Sequence, residues 1–234
     1  MHRTGDLTLH ISSGCLRRIL LWIVAGLAAA SFLAQLLRYM LEPPAGLVQL
    51  FDADSEGNVP TFYSSVALLA CAALLALRAT GARQAAERYA RHWIVLAMLF
   101  FAAALDESVR LHERVNKRLA SAAGVDDEAL LWVAPAAALV LVVLVAYRKF
   151  FRALPEPVRR RASHGAAIFV AGALGVELLE WATVASLGGE TEQLVDGLVS
   201  TVQEFLEMLG VVFILEALVL LLSVDGESIR LRVG

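Results

Sequence analysis

Long apolar runs rich in Leu, Ala and Val alternate along the chain with short polar breaks, and the runs show no period-two alternation. About 20 mostly apolar residues cross a bilayer as a helix. Continuous runs of this kind read as helices, whereas barrel strands alternate apolar with polar. Six segments reach or approach the spanning length, at roughly 19–41, 62–77, 93–112, 130–147, 165–187 and 199–223. The expected fold class is therefore all-α: a polytopic membrane bundle of six transmembrane helices, forming one integral membrane domain over residues 1–234.

Composition agrees. The chain is 59% hydrophobic and 18% charged, with a mean hydropathy of +0.67, too little polar surface for a soluble domain of this size. Charge then orients the bundle. With the N-terminus inside, the inner segments hold 15 of the 20 Lys and Arg, and only Arg38, Arg110, Arg114, Lys117 and Arg118 fall outside. That positive-inside bias places both the N- and C-termini on the cytoplasmic side, in a bacterial inner (cytoplasmic) membrane. It also accounts for the basic residues without a nucleic-acid partner. The first run, Ile19 to Leu37, exceeds a signal-peptide core and reads as a retained helix. Cys15 and Cys71 sit at different depths and are not expected to pair. The cluster "RKFFRALPEPVRRR" reads as an anchor to anionic headgroups.

The candidate chemistry is carboxylate-rich. "WIVLAMLFFAAAL" covers only about 20 Å of a core about 30 Å thick, so the third helix must continue through "DESVRLHE". That places Asp106 and Glu107 in the outer leaflet, with His112 and Glu113 near the interface. Helical rise brings Glu177 and Glu180 on the fifth helix, and Glu204 and Glu207 on the sixth, to the same outer slab. Each pair is spaced i,i+3 and shares a face. So many carboxylates in low dielectric need protons, arginine partners or a cation, and Arg110 and Arg38 are the nearest arginines. A divalent metal ion suits carboxylates plus one imidazole. The expected ligands are Glu177, Glu180, Glu204, Glu207 and His112. Asp106, Glu107 and His112 are the candidate catalytic groups, and Glu56, Asn58 and Glu113 form a rim. Glu216 alone lies deep on the inner side.

Other polar features read more plainly. "FDADSEGNVPTFYSS" starts like a calcium loop, but Tyr63 stands where the closing carboxylate belongs. Pro60 and Thr61 fit a first helical turn with Asn58 or Val59 as cap, and Asp52 and Asp54 read as solvated loop charges. Glu190, Glu192 and Asp196 read as an exposed loop, and "LLWVAPAAALVLVVLVAY" as scaffold.

The Glu-x-Asn-x-Pro-Thr loop at Glu56–Thr61, together with the Asp-Glu-x4-His-Glu helix end at Asp106–Glu113, resembles a group of uncharacterised bacterial multi-pass membrane proteins. That resemblance implies no activity. A weaker one, on Glu56, Asn58, Asp106 and Glu107, is to the alkaline ceramidase group of membrane hydrolases, and implies a metal-dependent hydrolase. That group's zinc site takes three histidines. Here His2, His10, His92 and His164 map to the inner side, so carboxylates would have to hold the metal. The expected function is a divalent-metal-dependent, hydrolase-like enzyme acting on a membrane lipid or other amphiphile. The alternatives are a cation- or proton-coupled permease and a non-catalytic assembly subunit.

Overall fold

The computed structural model describes residues 7–8, 13–41, 48–52, 57–124, 131–179, 190–224 and 230–231. Its helices are α1 (Ser13–Leu41), α2 (Val59–Gln84), α3 (Ala90–Val109), α4 (Leu111–Ala123), α5 (Val133–Ala153), α6 (Glu156–Val170) and α7 (Glu190–Val224). A π-helical segment, Ala171–Val176, continues α6 into 177–179. Two short strands, β1 (Leu7–Thr8) and β2 (Arg230–Leu231), pair antiparallel. Six of the described helices are long and apolar enough to cross a membrane. Trp22 is 80% exposed and Phe62 71%; such outward apolar surface suits lipid and not water.

The spans are generally longer than hydropathy alone suggests, and two expectations fail. The third helix does not run on to residue 112. It stops at Val109, because Arg110 adopts a left-handed backbone (φ 47°), and α4 begins directly after it. Residues 113–123 are therefore helix, not loop. The expected continuous helix from Asp106 to Glu113 is broken in two at Arg110. Likewise Glu190, Glu192 and Asp196 do not form a loop, since α7 starts at Glu190. Leu194, Val195 and Leu198 extend its apolar periodicity upward past where the continuous run begins.

α7 is the central helix: 56% of its apolar window is buried inside the protein, the largest share among the six spans. It packs on α1, α2 and α6, while α2 pairs with α3. The α1 seam has heptad spacing. Arg17, Val24 and Ser31 meet Glu216, the Met208–Val212 pair and Thr201 in turn, as expected of antiparallel helices packed at a shallow angle. The α6 seam relies on glycine. A Cβ on Gly165 would sit 2.6 Å from the Gly210 carbonyl oxygen, and one on Gly210 would sit 2.7 Å from that of Gly165. A Cβ on Gly172 would likewise crowd Leu206, Gln203 and Glu207. Small residues let two membrane helices approach this closely, and the approach sets Glu207 against the π-helical segment just before Glu177.

Candidate functional site

The end of the bundle where α2 begins is called the upper end here, and the end bearing the β1–β2 pair the lower end. At the upper end, Asp52 and Asn58, ahead of α2, are pinned down. Asn58 caps α2, its side-chain oxygen accepting from the Thr61 N–H at 2.7 Å, and Pro60 sits in the first turn. The same side chain donates through Nδ2 to the Asp52 carbonyl oxygen at 2.7 Å. Asp52 is not a solvated loop charge. It is 3% exposed, accepting from Gln35 at 2.6 Å and from Arg38 at 3.0 Å. Burial of this carboxylate is tolerated because it is paired and hydrogen-bonded. Arg38 is thereby committed to Asp52 and not to the acidic slab. Gln35 fills the space over Gly197 of α7, and Ser31 hydrogen-bonds Thr201 at 3.0 Å. Together these contacts fasten α1, the α2 start and α7 at one level.

Below that layer the carboxylates converge. Glu204, Glu107 and Glu177 all lie close enough to Glu207 to act on its charge, so α3, α6 and α7 each contribute. Gln203 donates to Glu207 at 3.3 Å. Trp132, at the start of α5, donates its indole N–H to Glu177 at 3.3 Å. The charge of Arg110 acts on Glu204. The Glu204 Oε2 atom is sealed off and has no hydrogen-bond partner among the described residues. Ser64 Oγ, buried on α2, is in the same condition, while its neighbour Ser65 accepts a 3.0 Å bond from Ser108 of α3.

Four expected site residues thus come together: Glu107, Glu177, Glu204 and Glu207. Asp106 is half-buried on α3 but lies about 100° around the helix from Glu107; its carbonyl oxygen accepts the Arg110 N–H. His112 and Glu113 belong to the first turn of α4, and their side chains lie outside the described residues, as do Glu56 and Glu180. Asn58 serves as helix cap and loop tie. Two polar partners escaped the sequence reading. Trp132 sits in the run read as scaffold, although a Trp at a membrane interface usually directs its N–H to a partner. Gln203 shares its helix with two glutamates and attracts no notice beside them.

Among the described residues, no group of three or more His, Cys, Asp and Glu side chains is arranged to hold a metal ion. The described carboxylates Glu107, Glu177 and Glu204 act on the charge of Glu207.

A family model for a domain of unknown function, DUF8692, matches residues 20–221, from within α1 to near the end of α7. The chain belongs to that family. No curated protein and no solved structure matches it. Because the DUF8692 region takes in α2 to α6 whole and most of α1 and α7, the acidic centre lies inside the family domain and not on an appendage.

The DUF8692 chain is closed below this centre. Descending α7 from Glu207, the next inward side chains are Met208, Val211, Val212 and Leu215, all buried and apolar. Val24 of α1 joins Met208 and Val212. The next acid, Glu216, lies about 13 Å further down and is bound at 3.1 Å by both Arg17 and Arg161. Among the described residues, a mainly apolar layer, with Tyr63 packed against it, separates the upper acids from the arginine-paired Glu216.

Proposed function

We propose that this protein is an integral membrane enzyme that performs acid–base chemistry on a membrane-dissolved amphiphile, reached from the upper side. The observation that carries the reading is the one-sided excess of charge. Among the described residues, Glu107, Glu177, Glu204 and Glu207 stand against the charge of Arg110, above a mainly apolar layer of Val24, Met208 and Val212 against which Tyr63 packs. Ionisable groups inside a membrane are costly and usually mark function. Not all of these acids can be charged together, so the set holds exchangeable protons or a bound cation. Carboxyl groups in unlike surroundings are the means by which one site supplies both an acid and a base. Glu204 stands beside a guanidinium, and Glu207 among other acids. Glu204 Oε2, sealed in the bundle, has no hydrogen-bond partner among the described residues, as expected of an acid that a proton or a bound group completes.

A divalent ion held by Glu177, Glu180, Glu204, Glu207 and His112 is the alternative reading; among the described residues no three such side chains are arranged around one point, and the chemistry we propose is that of the carboxyls themselves. A cytoplasmic location for the lower end fits the distribution of Arg and Lys, and a bacterial inner membrane is the setting we propose.

The test is to purify the full chain in detergent, measure bound metals, and incubate it with a total membrane lipid extract read by mass spectrometry. The wild type should deplete a lipid species without stoichiometric metal, and Glu204→Gln and Glu207→Gln should abolish that depletion. Unchanged lipids, together with acid-dependent proton or cation flux in proteoliposomes, would replace this reading with that of a permease.

A further inference from the structure

We propose that the lower end of the bundle holds a binding site for the phosphate headgroup of an anionic phospholipid, built on Arg17, Arg161 and Glu216. Arg17 Nη1 and Arg161 Nε both donate to one oxygen, Glu216 Oε1, at 3.1 Å, and Arg17 Nη1 also reaches Oε2 at 3.4 Å. The two guanidinium groups, from α1 and α6, therefore sit side by side on an acid of α7. Glu216 is 2% exposed, whereas the arginine side chains are 37% and 35% exposed. The carboxylate is buried, while about a third of each arginine side chain stays exposed.

Charge and donors are both left over. Two positive groups meet one negative group, and among the described residues neither arginine pairs with a second acid. A guanidinium carries five N–H donors in a fixed fork. Arg161 spends Nη1 on the Pro157 carbonyl oxygen, leaving Nη2. Arg17 keeps Nε and Nη2. A phosphodiester, with one negative charge and two anionic oxygens, supplies the missing charge and accepts from both forks.

The surroundings select a lipid over free phosphate. Arg17 lies near the start of α1 and Arg161 in the second turn of α6, at the level of a headgroup. At this depth α1 also carries exposed Ile19, Trp22 and Ile23 (53%, 80% and 41%), on faces about 120–160° around the helix from Arg17, so the site sits beside apolar helix surface of the kind acyl chains cover. Basic pockets between membrane helices at an interface are recurrent headgroup sites. A bound lipid would tie α1 to α6 and α7 at the end opposite the carboxylate cluster, and the inference does not depend on what that cluster does.

The test titrates the full-length protein in neutral detergent with phosphatidylglycerol, phosphatidylcholine or inorganic phosphate, reading bound lipid by native mass spectrometry and melting by thermal shift. Phosphatidylglycerol should bind and raise the melting temperature, and the other two should not. Arg17→Gln and Arg161→Gln should each weaken its binding about fivefold, and Arg160→Gln much less. Glu216→Gln separates this site from a merely structural clasp. It should lower the melting temperature without lipid yet tighten phosphatidylglycerol binding about fivefold, because it removes the competing negative charge. Equal protection by phosphatidylcholine or by inorganic phosphate would overturn the proposal. So would weaker or unchanged lipid binding by Glu216→Gln, or an Arg160→Gln effect as large as that of Arg161→Gln.

Discussion

Asn58 performs two tasks with one side chain, capping α2 through its oxygen and holding the Asp52 carbonyl through its nitrogen. Replacing an N-cap Asn by Ala costs about 1 kcal/mol, and the lost tie to a buried carbonyl adds to it. Asn58→Ala is expected to destabilise the protein by about 1–2 kcal/mol in denaturant-titrated unfolding. Asn58→Ser, which keeps only the cap, should cost less. The cap was legible in "NVPT", because Asn followed by Pro in a first turn is a local signal. The burial of Asp52 was not, since its partners Gln35 and Arg38 lie on α1 across a turn. No local pattern distinguishes a carboxylate that folds back onto a helix from one that remains in water.

Between elements, glycine sets the distance at which α6 and α7 cross. Gly165→Ala would place a methyl group 2.6 Å from a backbone oxygen that can move only with its helix. Overpacking of this kind costs about 1–3 kcal/mol, and here it would also push the α6 acid Glu177 away from Glu204 and Glu207. Gly26→Ala meets nothing within 4 Å and should be neutral or stabilising by up to about 1 kcal/mol. A thermal-shift comparison of the two variants checks the contrast. The spans were readable from their apolar runs because lipid imposes length and hydrophobicity on each. The break at Arg110 was not, as a left-handed residue within a polar stretch leaves no hydropathy signal. The start of α7 was hidden for a related reason: its first turns are polar and lie beyond the continuous apolar run. Arg110 itself carries the charge that acts on Glu204. Arg110→Asn preserves a residue that accepts positive φ while removing the charge, and should raise the number of protons the cluster binds at neutral pH, as read by proton uptake on acidification.

At the scale of the molecule, the acids of three separate helices meet at one level, which helical rise along the sequence had indicated for Glu107, Glu177, Glu204 and Glu207. Their separation from Glu216 by a mainly apolar layer depended on which faces of α1 and α7 meet, and that is a property of packing. Orientation has a direct assay. Cys15 is exposed at the lower end of α1 and Cys71 is buried, so a membrane-impermeant maleimide should label Cys15 alone. Labelling is expected in inside-out vesicles and not in intact spheroplasts; the opposite pattern would invert the bundle.

The central claim is that the four glutamates form one protonatable centre. Infrared difference spectroscopy of the purified protein in lipid nanodiscs, between acidic and alkaline pH, measures this most directly. The wild type is expected to show carboxyl C=O absorption persisting at neutral pH, diminished by Glu207→Gln and again by adding Glu204→Gln. A wild type without that absorption, or one in which both substitutions leave it unchanged, would contradict the account.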